Sequence, residues 1–347
     1  QEFVETLPDV ESPELFGLHP NADLTFRMKE SAEVLWKALD VQPKESTSQG
    51  GGTREEEVYL SAKEMLQKLP VDFKKDHVKE KLKPSSAPLN IFAHQEIDLI
   101  QTVLRTVRKT LEELRLAIEG TIVMSATLQD ALNCIYDGRV PSWWSQISWQ
   151  APGIGVWFNT LLMRHEQLHS WVEKGRPKSF WLAGFFNPQG FLTAVKQMVT
   201  RKHNEDCSPD QRWTLDEVVL RTEVKRYEVA HEKDIRTLPL PPGEGVFIHG
   251  LYLEGARWNL ADGCLQDQQP KILQYLLPVV FVTAEKRNDS RLEELLSQHD
   301  GPLLQCPVYK IPMRTYNHHI FDIILDGGGM PQWYWILRGV ALLCSKD

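Results

Sequence analysis

The sequence predicts an α+β protein, with helices in the N-terminal part and a small antiparallel β-barrel after them. Two observations support this fold class. Through the first 205 residues, apolar side chains recur at three- and four-residue spacing, the period of an amphipathic helix. After "NEDCSPD" (204–210) the apolar segments become short, β-branched and aromatic, and turn residues separate them. Because no long helix lies between these segments, we expect a small antiparallel sheet that closes into a barrel or a sandwich, and we choose the barrel.

The first helical segments are "SAEVLWKAL" (31–39) and "EEEVYLSAKEMLQKL" (55–69), separated by a Gly/Ser-rich loop. A long amphipathic helix is predicted over 91–120, and Gly120 is placed to end it. Its predicted apolar stripe consists of Leu99, Val103, Val107, Leu111, Leu114 and Ile118.

Three further helices follow. Ser125 is a predicted N-cap, and another helix covers about 154–174. Asn187 is the predicted N-cap of the last helix, with Pro188 at its first position, and this helix extends to about 202. We therefore predict three parts: a helical part with the long helix (1–120), a second helical part (121–205) and the β-barrel part (206–347).

The predicted strands lie in six short stretches separated by turns such as "EGARWN" and "DGGGMPQ". The stretches are "EVVLRTEV", "GVFIHGLYL", "PVVFVTAE", "CPVYKIP", "HHIFDIIL" and "WYWILRGVALL".

Composition narrows the possible functions. The net charge of −8 disfavours nucleic acid and anionic membranes as partners, because like charges repel at long range. Five widely spaced cysteines without a C-x-x-C motif argue against a disulfide framework and for a reducing compartment. The chain begins "QEFVETLPDV", without Met, so we expect it to be a piece of a longer protein.

One motif suggests metal chemistry. "LLMRHEQLHSWVEKG" (161–175) contains H-E-x-x-H, formed by His165, Glu166 and His169. On a helix the two histidines lie on one face, where they can bind one Zn²⁺, and the glutamate can act as general base.

The surrounding sequence argues against a zinc peptidase. One extended form of the motif requires a glycine and a third histidine where this protein has Val172 and Gly175. Another requires a downstream helical glutamate, but the nearest match, Glu205, lies in a segment that we interpret as a turn before Pro209. His165 instead occupies one position of a continuous apolar stripe, where histidines are usually packing residues. That stripe is Ile154, Phe158, Leu161, His165, Leu168 and Val172.

Several stretches together resemble the C-terminal end of the motor domain of dynein heavy chains, in order and over nearly the whole sequence. "LFGLHPNADLTF" (15–26) and "TREEEVYLSAKEMLQKLP" (53–70) resemble the closing helices of the sixth AAA+ module. "FWLAGFFNPQGFLTAVKQ" (180–197) and "GVFIHGLYLEGARWN" (245–259) are the most specific matches. "CPVYKIPMR" and "WILRGVALLC" are similar to the family's ending, and the "GLHPNAD" version resembles axonemal heavy chains.

The resemblance implies a non-catalytic C-terminal region that lies across one face of the AAA+ ring and contacts several modules. It implies the ring of the same heavy chain as partner, other dynein subunits through the parent protein, and a location in the cytoskeleton of a cilium or flagellum. ATP and Mg²⁺ belong to earlier modules, so we expect no cofactor and no catalytic residue here. No direct contact with acidic microtubules is expected from a fragment of this charge.

We therefore predict a brace that couples the motions of the ring modules and regulates motor output. Two alternatives stay open: a module that binds an axonemal partner, and, more remotely, a zinc peptidase that uses His165, Glu166 and His169. We predict that these three residues bind no metal.

Overall fold

The computed structural model describes residues 19–41, 53–229, 232–287, 302–311 and 318–345. Its backbone forms two compact units. The helical unit contains residues 45–215, and the β-rich unit combines residues 1–44 with 216–346. The three parts predicted from the sequence are the parts of a dynein-like chain, whereas these two units are defined by backbone contacts, so the three-part division stays a prediction.

Helix α1 (Asn21–Val41) belongs to the β-rich unit. The helical unit contains one short strand, β1 (Ser179–Trp181), and seven described helices. These are α2 (Arg54–Lys68), α3 (Lys75–Lys81), α4 (Pro88–Ile118), α5 (Ala126–Tyr136), α6 (Ser142–Ile147), α7 (Ile154–Lys174) and α8 (Pro188–Asp206).

Helix α4 forms the centre of the helical unit, and it matches the predicted long helix closely. Pro88 occupies its first turn, where a missing N–H costs nothing, and Gly120 follows its end with φ +75°. The predicted stripe is correct from Val103 to Leu114 but wrong at Leu99, which is exposed. Ile100 is buried in its place, because the helix turns this neighbouring position towards the core. Ile118, at the end of the stripe, is only partly buried.

The predicted helix starts are confirmed. The Ser125 side chain accepts a hydrogen bond from the backbone N–H of Leu128, and the Asn187 side chain accepts one from Gly190. Each bond satisfies an N–H that the first turn of a helix leaves without a partner. Helix α8 extends to Asp206 rather than to about 202, so the first part of "NEDCSPD" is helical.

The β-rich unit contains three groups of strands. The strands are β2 (Val218–Val224), β3 (Val246–His249), β4 (Tyr252–Glu254), β5 (Arg257–Asn259), β6 (Cys264–Gln266), β7 (Gln274–Leu276), β8 (Val280–Lys286), β9 (Leu303–Tyr309), β10 (His319–Asp326) and β11 (Ala341–Leu343). Strand β8 pairs antiparallel with both β2 and β3. A five-stranded sheet has the order β10-β9-β11-β4-β7, and β5 pairs with β6. Two short helices, α9 (Glu232–Thr237) and α10 (Gln332–Leu337), complete the unit.

The α+β class is confirmed, but the predicted antiparallel barrel is wrong. The sheets of the described residues are open, because β10 and β7 lie at opposite edges of the five-stranded sheet. The same sheet is mixed, since β11 runs parallel to β9. Part of the predicted last strand forms α10 instead, and this helical turn leads the backbone into β11 in the parallel direction. Strands of three residues, such as β4 and β7, also offer too few ladder bonds to close a barrel.

A small apolar cluster packs under β3 and β8. It contains Val229, Leu238, Phe247 and Val279, with Ile235 and Phe281 against it. Among the helices that the structure describes, none is long and apolar enough to cross a membrane.

Candidate functional site

The H-E-x-x-H motif lies on α7, and its three side chains differ in burial. His165 is buried, whereas Glu166 and His169 are not. The predicted apolar stripe is confirmed at its other positions except Ile154, which is only partly buried. The buried members are Phe158, Leu161, Leu168 and Val172.

The environment of His165 is that of a packing residue. Its ring lies 4.7 Å from the ring of Phe73 and 5.6 Å from that of His169, centroid to centroid. Burial lowers the pKa of His165 to about 4, and the charge of His169 adds to this effect. A hydrogen bond to the backbone of Val71 and the charge of Asp72 act in the opposite direction. The imidazole is therefore neutral at pH 7 and packs as an aromatic ring.

A zinc site on this motif requires a third protein ligand. Within the described ranges, no group of three His, Cys, Asp or Glu side chains is positioned to hold a metal ion. Glu205 lies on α8, so its interpretation as a turn residue is wrong. The side-chain amide of its neighbour Asn204 bonds to the backbone of Trp213, at 2.7 Å and 2.9 Å. That these residues bind no metal stays a prediction, and metal analysis tests it.

Two buried charged side chains, Glu96 on α4 and Arg164 on α7, bond to the backbone between β1 and α8. Glu96 on α4 is 1% exposed, and its carboxylate accepts hydrogen bonds from the backbone N–H groups of Phe186 and Asn187, at 2.7 Å and 3.0 Å. Asn187 is also the N-cap of α8, so the negative charge lies at the positive end of that helix. Arg164 on α7 is the nearby cation whose charge Glu96 stabilises.

Arg164 is 7% exposed and lies among aromatic rings. Its guanidinium carbon lies 4.2 Å from the ring centroid of Trp149 and 5.4 Å from that of Phe186, and Nη1 donates to the carbonyl of Gly184 at 3.0 Å. Burial lowers the pKa of Arg164 to about 10, and Glu96 opposes this shift. The arginine therefore stays charged at pH 7, and the aromatic faces and the carboxylate compensate for its desolvation.

Sequence reasoning missed this pair, although a signal was present. Arg164 lies three residues after Leu161 and four before Leu168, on the buried face of α7. Glu96 has the same relation to Ala93 and Ile100 on α4. A single charge within an apolar stripe indicates a buried charge that requires a partner.

In the β-rich unit, Asn21 fastens the start of α1 to one loop. Asn21 is 4% exposed. Its Nδ2 donates to the Gln268 side chain and to the carbonyls of Gln269 and Ile272 at 3.0–3.2 Å, and its Oδ1 accepts from Lys271 N at 2.9 Å. The three contacts of Nδ2 share its two hydrogens, so the amide is fully bonded to residues 268–272, a loop in which Lys271 adopts φ +71°. Asn21 belongs to the "GLHPNAD" segment.

The tryptophans near the C-terminal end divide into two groups. Trp335 is buried and its indole N–H donates to the carbonyl of Gly327 at 3.1 Å. Trp333, two residues earlier on α10, is 61% exposed, and Ile336 and Leu337 beside it are similarly exposed. The two indoles differ because a helix, unlike a strand, does not place residues i and i+2 on one face.

Comparison with known proteins gives consistent results over nearly the whole sequence. Residues 28–344 match the family described as the C-terminal domain of the dynein heavy chain. The protein is 45% identical over 346 residues to dynein axonemal heavy chain 5 of Mus musculus, and 43% identical over 346 residues to dynein axonemal heavy chain 8 of Homo sapiens. It is 40% identical over 351 residues to the dynein gamma chain, flagellar outer arm, of Chlamydomonas reinhardtii. Each alignment covers 99% of this sequence but 7% of the relative, so the protein spans a small part of the relatives' length.

Proposed function

This protein belongs to the dynein heavy chain family, and from that premise we propose that it is a non-catalytic region that braces the AAA+ ring and regulates motor output. The family resemblance of the sequence is thereby confirmed. The names of its relatives refer to the axoneme and to the flagellar outer arm, which gives an axonemal location in a cilium or flagellum.

The observation that carries the proposal is the Asn21 contact. Residues 15–26 resemble the end of the sixth AAA+ module, whereas the loop at 268–272 belongs to the C-terminal domain. The buried Asn21 amide connects them: its Nδ2, with two hydrogens, contacts three acceptors, and its Oδ1 accepts one bond from Lys271. A hydrogen bond of this kind contributes about 1 kcal/mol net. This connection supports our proposal that a movement of the sixth module is passed on to the C-terminal domain.

The helical unit adds stiffness of its own. Glu96 on α4 and Arg164 on α7 both bond to the backbone of residues 184–187, directly before α8. Separating these elements leaves an uncompensated charge in the interior, which costs about 3–5 kcal/mol. A brace requires such resistance to deformation.

The remainder of the parent motor completes the proposal. We place ATP hydrolysis, Mg²⁺ and microtubule binding in that remainder, with the AAA+ ring as the immediate partner of this region. Further dynein subunits associate through the parent protein.

The test compares heavy chains that differ only in this region. Intact heavy chain, a form lacking residues 121–347 and an Asn21→Ala variant are compared for microtubule-activated ATPase rate and gliding velocity. We expect both altered forms to change the ratio of gliding velocity to ATPase rate. Asn159→Ala, at an exposed position of α7, is the matched control. Wild-type values for both quantities in both altered forms would refute the brace.

A second function has one specific observation in its favour. Trp333, Ile336 and Leu337 expose a compact apolar surface on α10, and an exposed Trp beside aliphatic side chains is typical of binding sites. In this alternative, α10 binds an axonemal partner. A pull-down from ciliary extract with the whole 347-residue protein tests this alternative. If α10 binds a partner, a protein that the wild type captures from the extract is absent from the pull-down with Trp333→Ala.

A further inference from the structure

The end of α8 carries a cysteine next to a histidine. Cys207 follows the last helical residue, and its Sγ lies 3.2 Å from Nε2 of His203, one turn earlier. This distance is within hydrogen-bond range for sulfur. Both side chains are partly buried, neither completely. Cys207 lies within "NEDCSPD" and His203 directly precedes that stretch, and neither residue has a role in the proposed brace.

The ring of His203 is held in place from its other side. It stacks on the indole of Trp213, with ring centroids 3.7 Å apart and planes 16° from parallel. Trp213 is fixed in turn by Asn204, whose side chain bonds both the N–H and the carbonyl of the Trp213 backbone. The loop after α8 thus folds back on the helix end and orients the imidazole towards the sulfur.

A thiol beside an oriented imidazole is the arrangement that nucleophilic cysteine chemistry requires. The thiolate is the reactive form, and an imidazole within hydrogen-bond distance accepts the thiol proton as the sulfur attacks. The third group, here Trp213, keeps the base in position in the same way as the orienting member of a catalytic triad.

The other four cysteines lie in environments that oppose reaction. Cys134, Cys306 and Cys344 are buried. Burial raises the pKa of Cys134 and raises that of Cys344 to about 12. Cys264 is partly exposed, but burial and the charges of Asp326 and Asp262 raise the pKa of its thiol. Cys207 combines partial exposure with a basic neighbour.

We propose that Cys207 is a covalent modification site for small electrophiles and peroxides. With hydrogen peroxide, Sγ attacks one peroxide oxygen, the S–O bond forms and the O–O bond breaks. The leaving hydroxide takes the proton that His203 accepted and departs as water, so sulfur is oxidised to the sulfenic acid and the peroxide is reduced. The thiol of glutathione then attacks this sulfur, forming an S–S bond and releasing a second water.

The modification has a structural consequence. A glutathione group on Sγ occupies the space towards His203, so the imidazole cannot keep both its sulfur contact and its place on Trp213. The adduct therefore loosens the loop from Cys207 to Trp213, close to the end of the helical unit at residue 215.

The first experiment measures each cysteine separately. The 347-residue protein is alkylated with limiting iodoacetamide, and the fraction modified at every cysteine is followed by peptide mass spectrometry. We expect Cys207 to react about tenfold faster than Cys264. The variant His203→Phe keeps an aromatic ring on Trp213 but removes the base, so we expect alkylation of Cys207 to slow about tenfold. Equal rates at Cys207 and Cys264, or an unchanged rate in this variant, would overturn the proposal.

The second experiment tests the peroxide step. The protein is treated with hydrogen peroxide and dimedone, which traps a sulfenic acid, and in parallel with peroxide and glutathione. Both adducts are expected at Cys207 and absent in Cys207→Ser. Hydrogen exchange at residues 207–213 must increase in the glutathionylated protein. Trapping at other cysteines before Cys207 contradicts the assignment, and an unchanged exchange rate contradicts the proposed loosening.

Discussion

Replacing Glu96 with glutamine tests the buried charge pair directly. The substitution preserves the size of the side chain but removes the negative charge. One of the two backbone N–H groups, of Phe186 or Asn187, then faces an amide donor instead of an acceptor. Arg164, buried on α7, also loses the carboxylate that stabilises its charge.

The expected cost follows from these losses. Removing one member of a buried charge pair costs about 3–5 kcal/mol, and a hydrogen bond to a charged group contributes about 1.5–3 kcal/mol. Because the two terms describe partly the same interaction, we expect a total of about 4 kcal/mol. For a unit of this size each kcal/mol lowers Tm by about 2–4 °C, so Tm of the helical unit falls by about 10 °C.

Urea denaturation with hydrogen exchange over residues 184–192 measures this effect. We expect the start of α8 to lose protection first, because Glu96 holds the backbone at its N-cap. Glu112→Gln, an exposed position on the same helix α4, is the matched control. If Glu96→Gln and Glu112→Gln differ by less than about 1 kcal/mol, the pair does not stabilise the unit and the reasoning fails.

Three further outcomes are expected. Since its native pKa is about 4 against 6.5 in the unfolded state, His165 binds a proton more readily when unfolded, so stability falls by about 3 kcal/mol as pH drops from 6.5 to 4. In a pH series of urea denaturations, His165→Gln must flatten this dependence. His169→Gln removes only the smaller contribution of the His169 charge and must keep most of it; identical curves for the two variants would contradict the argument. Gly255→Ala places a Cβ 2.7 Å from the carbonyl oxygen of Arg338, at a residue with φ +83°, so we expect urea denaturation to show a loss of stability of about 3 kcal/mol. Gly263→Ala is the control, because a Cβ there has a positive φ but no neighbouring atom to clash with, and we expect it to cost about 1 kcal/mol. Equal losses in the two variants would show that the clash with Arg338 contributes nothing. Metal analysis of the dialysed, untagged protein should find far less than one zinc per molecule, and the same amount in His165→Ala. If the wild type instead binds about one zinc per molecule and His165→Ala binds none, the motif is a metal site.

The sequence predicted the helices well because their signals are local. Ser125 and Asn187 are caps whose partners lie three residues away, and Gly120 ends α4 by its own backbone conformation. Such contacts depend on neighbours in the sequence, so the pattern alone contains them.

The prediction of a barrel failed because the closure of a sheet depends on contacts between distant parts of the sequence. The direction of β11 depends on α10, and the aromatic residues of α10 have high strand propensity despite forming a helical turn. The pairing of β9 with β11 joins distant segments, as Val308 with Leu342 shows, and periodicity does not identify such partners.

In the candidate site, one feature could be predicted from the sequence and another could not. The burial of His165 followed from its place in the stripe, which periodicity identifies. The partner of Arg164 did not follow, because Glu96 lies on another helix and only tertiary packing brings the two charges together.

The discontinuous β-rich unit has a consequence for synthesis. The bonds of Asn21 to residues 268–272 span about 250 positions, and at roughly 5–20 residues per second the ribosome needs roughly 12–50 s to cover them. The helical unit is contiguous from residue 45 to 215 and is synthesised within that interval. Until residues 268–272 have been synthesised, the buried side-chain amide of Asn21 at the start of α1 lacks the loop to which it bonds. The helix α1 is thus synthesised early, but the contact that fixes its start forms only after residue 272 has been made.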